Sequence, residues 1–356
     1  MTEHDNHRNP LPVGVGIALL AAILFGVSTP FAKLLLGNTP PVLLAGLLYL
    51  GSGLGLSVLY FTRRTAEEAP LSRADLPWLA GAILFGGIVA PVLLMLGLKN
   101  TPGSSASLLL NLEGVCTSLL AWFVFKENFD RRIALGMALI VGGGLVLSWQ
   151  GLGGFSLPLG SLAIAGACLC WGIDNNLTQK VSASNPYQVA AIKGAVAGAV
   201  NLTIALALGA KFPAMSQIGG AMLVGFLGYG LSLAFFVLAL RHVGTARTGA
   251  YFSLAPFVGA IVSLVLLHDP IGPQFLVAAA LMAAGVWLHL SEKHSHDHRH
   301  ERLVHSHRHT HDAHHQHTHP PGVDPTEPHT HEHVHEPMTH SHPHFPDIHH
   351  RHNHST

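Results

Sequence analysis

Charge is the scarcest commodity in this 356-residue chain: Lys, Arg, Asp and Glu make up 11% of it, less than half the share of an ordinary soluble domain. That scarcity argues against a solvated globular surface. Nineteen basic residues against nineteen acidic ones leave no net charge, and no basic patch interleaved with aromatics is present to hold nucleic acid. Cysteine is nearly missing as well. Cys116, Cys168 and Cys170 lie in apolar stretches without CxxC spacing and read as core residues, so neither a disulfide framework nor a thiolate metal site is encoded. No GK[ST] follows a glycine-rich run, and no nucleophile and base pair or cofactor signature appears, so the chain is expected not to be an enzyme. The polar start MTEHDNHRNP runs into a full apolar span with no small-residue cleavage site behind it, which reads as a retained first helix.

What is plentiful is apolar: 49% of the residues are hydrophobic and the mean hydropathy is +0.39 despite a very polar end. A helix needs about 20 mostly apolar residues to cross roughly 30 Å of hydrocarbon. Ten segments meet that need, at 13–36, 40–61, 75–98, 104–125, 131–149, 159–179, 187–208, 214–240, 246–267 and 273–290. They must be helices, because backbone polar groups find no water in the bilayer. The expected fold class is an all-α polytopic membrane protein. With the N-terminus cytoplasmic, one side collects Arg8, Arg63, Arg64, Arg73, Lys126, Arg131, Arg132, Lys180, Arg241, Arg247 and Lys293, while the other holds Lys33, Lys99 and Lys211. The asymmetry predicts both termini inside, in the cytoplasmic membrane.

The halves echo each other. A shift of 142 positions lays LKNTPGSSASLLLNLEGVCTSLLAWFVFKE (98–127) over LRHVGTARTGAYFSLAPFVGAIVSLVLLHD (240–269), with Glu127 meeting Asp269, and a shift of 146 lays FGVSTPFAK (25–33) over WGIDNNLTQ (171–179) and Pro40 over Pro186. Five spans per half is an odd number, so the second repeat is inverted with respect to the first, an arrangement typical of transporters. The expected divisions are a short N-terminus at 1–12, a first five-helix repeat at 13–150, a second at 157–290, and a tail at 291–356.

The WG or FG followed by small polar residues in the first span of each half, the Pro opening the next, and the acidic residue ending the fourth resemble the EamA-type drug/metabolite transporter superfamily. The resemblance covers residues 13–290. It implies ten-helix secondary transport, with a substrate cavity between two five-helix halves. The basic residue usual in a repeat's second span matches Lys193 but meets Leu47 and Leu48 in the first half, and the late Pro of the fourth span matches Pro256 but meets Gly114.

Within the spans, polar residues single out a pathway. Glu113 sits near the middle of 104–125, where a carboxylate costs about 2.5–3.5 kcal/mol on insertion scales and is a functional candidate by default, here as a proton-coupling acid. A protonated Glu hydrogen-bonded inside the bundle is the plainer reading. Ser104, Ser107, Asn111 and Ser118 keep helical spacing, with Glu113 and Thr117 roughly 160° away around the axis, so this helix belongs in the interior. Asp174 and Lys193 flank the loop near 184 at similar depth and are placed to pair, either as a static bridge or as one opened by substrate or proton. Asn175, Asn176 and Thr178 add hydrogen-bonding groups, and DNN in an apolar run predicts a cavity wall.

From His294 onward the chain carries 23 of its 28 histidines, several prolines and few apolar residues. Such a segment builds no core and is expected to be disordered. Its HxH spacing suits Zn, Ni, Co or Cu, with His294, His296, His298, His300, His305, His307, His309, His311, His314, His315, His317 and His319 as candidate ligands. No other cofactor is implied. The leading expectation is an exporter of a small metabolite working by alternating access, with lipid and small molecules as partners. The alternative is a Ni, Co or Zn exporter whose tail collects cytosolic metal; the spans offer no His/Cys ligand cluster for that route.

Overall fold

The computed structural model describes residues 10–62, 71–125, 131–149, 158–181, 184–243, 245–290, 294–300, 303–309, 329–335 and 338–344. Up to residue 290 the described chain is helical, and the ten expected spans are ten helical units. These are α1 (Pro10–Leu35), α2 (Pro41–Thr62), α3 (Arg73–Asn100), α4 (Gly103–Leu109 and Leu112–Phe125), α5 (Arg131–Ser148), α6 (Leu159–Gln179), α7 (Pro186–Ala207), α8 (from Met215 to Val243), α9 (Thr245–Phe252 and Ala255–Leu266) and α10 (Pro273–Leu290). Seven of them are long and apolar enough to cross a membrane by length and composition alone; α6, α9 and α10 are the more polar, broken or shorter ones. Large apolar side chains such as Phe123 (68% exposed) and Val265 (72%) point outward, a surface suited to acyl chains and not to water.

Each repeat lends its first helix to the other half. Helix α1 packs on α8 and α9, and α6 packs correspondingly on α3 and α4, while α2 pairs with α7 and α5 with α10. The core lies where α2, α3, α4 and α6 meet, around Leu44, Leu48, Leu94, Met95, Leu108 and Ile164. Hydrophobic attraction does not draw helices together inside lipid, so close backbone approach at small residues has to. At the α2–α7 crossing, a Cβ placed on Gly194 would come within 2.6 Å of the Gly53 nitrogen, so only glycine permits the contact.

The helices are not uniform, and their irregularities repeat. Residues Ile83–Val89 of α3 form a π-helical turn, and so do Gly225–Leu231 of α8, displaced by the same 142 positions that relate the fourth spans. The fourth span of each half is broken near its middle, at residues 110–111 and 253–254. A single continuous helix over 104–125 is therefore corrected: Leu110 and Asn111 form turns, with Asn111 N donating to Leu108 O (3.0 Å) and Glu113 N to Leu110 O (3.0 Å). Hydropathy carries no information about this change of hydrogen-bond register.

Beyond residue 293, where the sequence predicts no regular structure, β1 (His294–His300) pairs antiparallel with β4 (Met338–His344), and β2 (Leu303–His309) with β3 (His329–His335). The physical reason is the period of the pattern. Alternating His-x-His matches the two-residue repeat of a strand, and the register sets histidine opposite histidine, as in His296↔His342 and His307↔His331.

Candidate functional site

The site grows from the π turn of α3. Its wider winding frees carbonyls, which must be answered inside the membrane. Tyr49 OH of α2 donates to Gly86 O (2.7 Å), and Trp171 Nε1 of α6 donates to the same oxygen (3.1 Å). Asn201 Nδ2 of α7 reaches Gly87 O (3.2 Å) and Ile88 O (3.4 Å). Gly86 also makes room for the neighbouring carboxylate, since a Cβ there would collide with the side chain of Asp174.

Asp174 is 4% exposed. Its Oδ2 receives Lys193 Nζ in an ion pair and its Oδ1 receives Thr178 Oγ1 (2.9 Å), so both carboxylate oxygens are occupied. The depth argument thus places Asp174 and Lys193 together. Two charges removed from water hold each other's desolvation cost in check, and removing either alone leaves the other exposed to it.

On the far side of α6 the chain meets α4. Gly172 lets the two helices approach, since a Cβ there would lie 2.9 Å from Cys116 Cβ and 3.0 Å from Thr117 N. That proximity allows Asn175 Nδ2 to donate to Glu113 Oε1 (3.0 Å) and to Thr117 Oγ1 (3.1 Å), and Asn176 Nδ2 to Gly172 O (2.8 Å) and Thr117 O (3.3 Å). Glu113 is half-buried and Asn175 exposed, and beside them nothing lies within 4 Å of a Cβ placed on Gly114. Glu113 also lies within electrostatic reach of Asp174 and Lys193. Six of the seven expected pathway residues (Glu113, Thr117, Asp174, Asn175, Asn176 and Lys193) therefore gather where α6 meets α4 and α7. Asn111 does not join them. It is buried at the α4 break, donating to Leu108 O (2.9 Å) and facing Met282 Sδ (4.0 Å).

One end of the bundle is tied across the repeats. Asp269, just past α9, accepts from Ser104 N (2.7 Å) at the start of α4, where a negative charge suits a helix N-terminus. Lys33 at the end of α1 donates to Thr101 O (2.7 Å) and to Leu98 O at the end of α3. The counterpart of Asp269, Glu127, lies outside the described residues. Among the described residues no group of three or more His, Cys, Asp or Glu stands at metal-ligand spacing. Of the tail ligands expected, His294, His296, His298 and His300 lie on β1 and His305, His307 and His309 on β2; His311, His314, His315, His317 and His319 fall outside the described residues.

A paired-repeat helical bundle with broken helices at matching depths narrows the comparison with known proteins. The EamA-like transporter family matches the chain twice, over residues 12–149 and 158–291. The chain belongs to that family. The two matches coincide with the two five-helix repeats. An uncharacterized transporter of Methanothermobacter thermautotrophicus is 28% identical over 290 residues, covering 76% of this chain and 84% of the relative. A probable amino-acid metabolite efflux pump of Salmonella typhimurium is 27% identical over 301 residues, covering 77% and 93%; one of Escherichia coli is 24% identical over 302 residues, with the same shares. A solved crystal structure shares the fold with a TM-score of 0.59 at 18% identity, covering 78% of this chain and 96% of its own. None of these alignments takes in the full length of this chain.

In this EamA-like transporter, sequence reasoning missed Tyr49, Trp171 and Asn201. The Trp171 indole answers a freed carbonyl inside the bundle. The signal was present in FGG at 85–87 and LGY at 227–229, glycine-bearing runs related by the 142-residue shift.

Proposed function

We propose that this protein is a secondary transporter of the cytoplasmic membrane that exports a small metabolite by alternating access, with Glu113 as the proton-exchanging acid of its pathway. The observation that carries the reading is the polar cluster of Glu113, Thr117, Asn175, Asp174 and Lys193 inside helices otherwise apolar. Polar groups left partly open at that depth are costly against lipid and fit a hydrated crevice. Supporting it are the paired broken helices, where transporters of inverted-repeat architecture place their sites, and the Asp269–Ser104 tie that joins the two repeats at one end. Relatives named as probable amino-acid metabolite efflux pumps favour export and a small metabolite. The Lys and Arg distribution supports cytoplasmic termini.

The His-rich tail, in this reading, binds Zn, Ni, Co or Cu at the cytoplasmic face as a buffer or sensor and lies apart from the transport route. The test is flux into proteoliposomes under an imposed proton gradient. Wild-type protein is expected to show gradient-driven uptake of amino-acid metabolites, and Glu113→Gln to lose the dependence on the gradient. Unaltered proton dependence in Glu113→Gln would remove the role assigned to Glu113.

A further inference from the structure

We infer that the crevice selects organic amines with an aromatic or bulky apolar body, in preference to carboxylates and phosphates. The inference rests on the proposed reading that the Glu113 cluster lines the pathway, and it follows from counting which charges there are already spent. Lys193 is taken by Asp174, and both oxygens of Asp174 are occupied, by Lys193 and Thr178. Glu113 is different. Asn175 donates to Oε1, and among the described residues nothing donates to Oε2. The unspent charge of the cluster is therefore a carboxylate, and no described cation at that depth is free to receive an anion. An ammonium fits that vacancy, whereas a carboxylate or phosphate approaches a like charge.

The wall next to the cluster determines the rest of the molecule. The polar tips of Tyr49 and Trp171 are both used on Gly86 O, and both rings are buried, so the ring surface that can meet a ligand lies farther along the aromatic run. Tyr49 lies within electrostatic reach of Glu113 and Asp174 and begins a continuous run of rings. Its centroid is 5.5 Å from Tyr229, Tyr229 is 5.9 Å from Phe25, and Phe25 is 5.5 Å from Phe252. Tyr229, Phe25 and Phe252 are half-buried at the π turn of α8, in α1 and at the α9 break. Aromatic faces beside a carboxylate attract a cation and its apolar body alike.

The experiment compares four probes by titration calorimetry on the full-length protein in detergent: 2-phenylethylamine, phenylalanine, 3-phenylpropionate and propylamine. The amine is expected to bind at least roughly tenfold tighter than 3-phenylpropionate, with phenylalanine weaker than the amine because its carboxylate finds no free cation. Propylamine, which keeps the ammonium and drops the ring, is expected to bind more weakly than 2-phenylethylamine. Glu113→Gln is expected to lose roughly tenfold in affinity for 2-phenylethylamine while leaving 3-phenylpropionate no weaker, and Glu113→Asp to keep the order of the probes. Equal binding of amine and carboxylate overturns the inference, as does phenylalanine matching the amine, which would mean that Lys193 leaves Asp174 to hold the substrate. Proteoliposome flux is measured on the same preparations. Flux without amine preference ends this inference and leaves transport standing; amine preference without flux does the reverse.

Discussion

The two repeats build the same helix crossing twice and furnish it in opposite ways. Where Asp174 lies against Gly86 in one, Ser28 lies against Gly228 in the other, and the glycines that admit the first helix of each half correspond as well: Gly172 against Cys116 and Thr117, Gly26 against Val258 and Gly259. Lys193 has Leu47 as its counterpart and Glu113 has Ala255, by the shifts of 146 and 142. Ser28 donates to the carbonyl of Phe25 three residues back (2.6 Å) and stands beside Tyr229, and Leu47 is 2% exposed. One crossing is thus charged and the other neutral on closely related backbones. Duplication provides the scaffold, π turn and broken helix included, and a few substitutions at matching positions decide which half bears the chemistry.

That contrast can be broken from the charged side first. Lys193→Leu installs the first repeat's residue and leaves Asp174 without its cation; unfolding in detergent should show a loss of about 3–5 kcal/mol. Adding Asp174→Ser, which completes the conversion to the neutral design, should restore most of it. A double variant as unstable as the single one would show that the pair is not the source of the cost. The reverse exchange comes next. Ser28→Asp puts a carboxylate at a buried crossing where the residue matching Lys193 is Leu47, and a destabilisation of about 2.5–3.5 kcal/mol is expected by the same melting measurement. Stability equal to wild type would mean that the neutral crossing holds a cation or water able to receive the charge.

Smaller effects sharpen the comparison. Tyr49→Phe removes one of two donors to Gly86 O and should cost about 0.6–1.7 kcal/mol, the range of interhelical hydrogen bonds inside membranes. Trp171 remains on that carbonyl, so slower hydrogen exchange near Gly86 in the variant would contradict the role given to Tyr49. Ser28→Ala should cost less still, under about 0.6 kcal/mol, because its bond stays within one helix and the helix survives without it. A larger loss would mean that the Ser28 hydroxyl also bonds across to α8 and weaken the claim that its bond within α1 is the main one.

The candidate site was legible to the extent that it obeyed depth and spacing. Asp174 and Lys193 could be paired because two antiparallel helices joined near residue 184 bring equal distances from the loop to equal depth. Glu113 stood out because an acid in hydrocarbon is expensive. Its partnership with Asn175 could not be read, since α4 and α6 lie far apart in sequence and approach closely beside it at Gly172. Asn111 was grouped with the pathway by helical spacing that the break at residues 110–111 cancels.

The amino-acid order alone determined ten apolar spans, their duplication and the inverted sense of the second repeat, because hydrocarbon thickness and an odd number of crossings leave no alternative. Only the tertiary structure decided that α1 and α6 exchange halves, that the third helices open into π turns, and that Tyr49 and Trp171 share one carbonyl. Those features depend on which backbones approach at glycine and on where a freed peptide group finds its donor, and neither quantity exists in a single helix considered by itself.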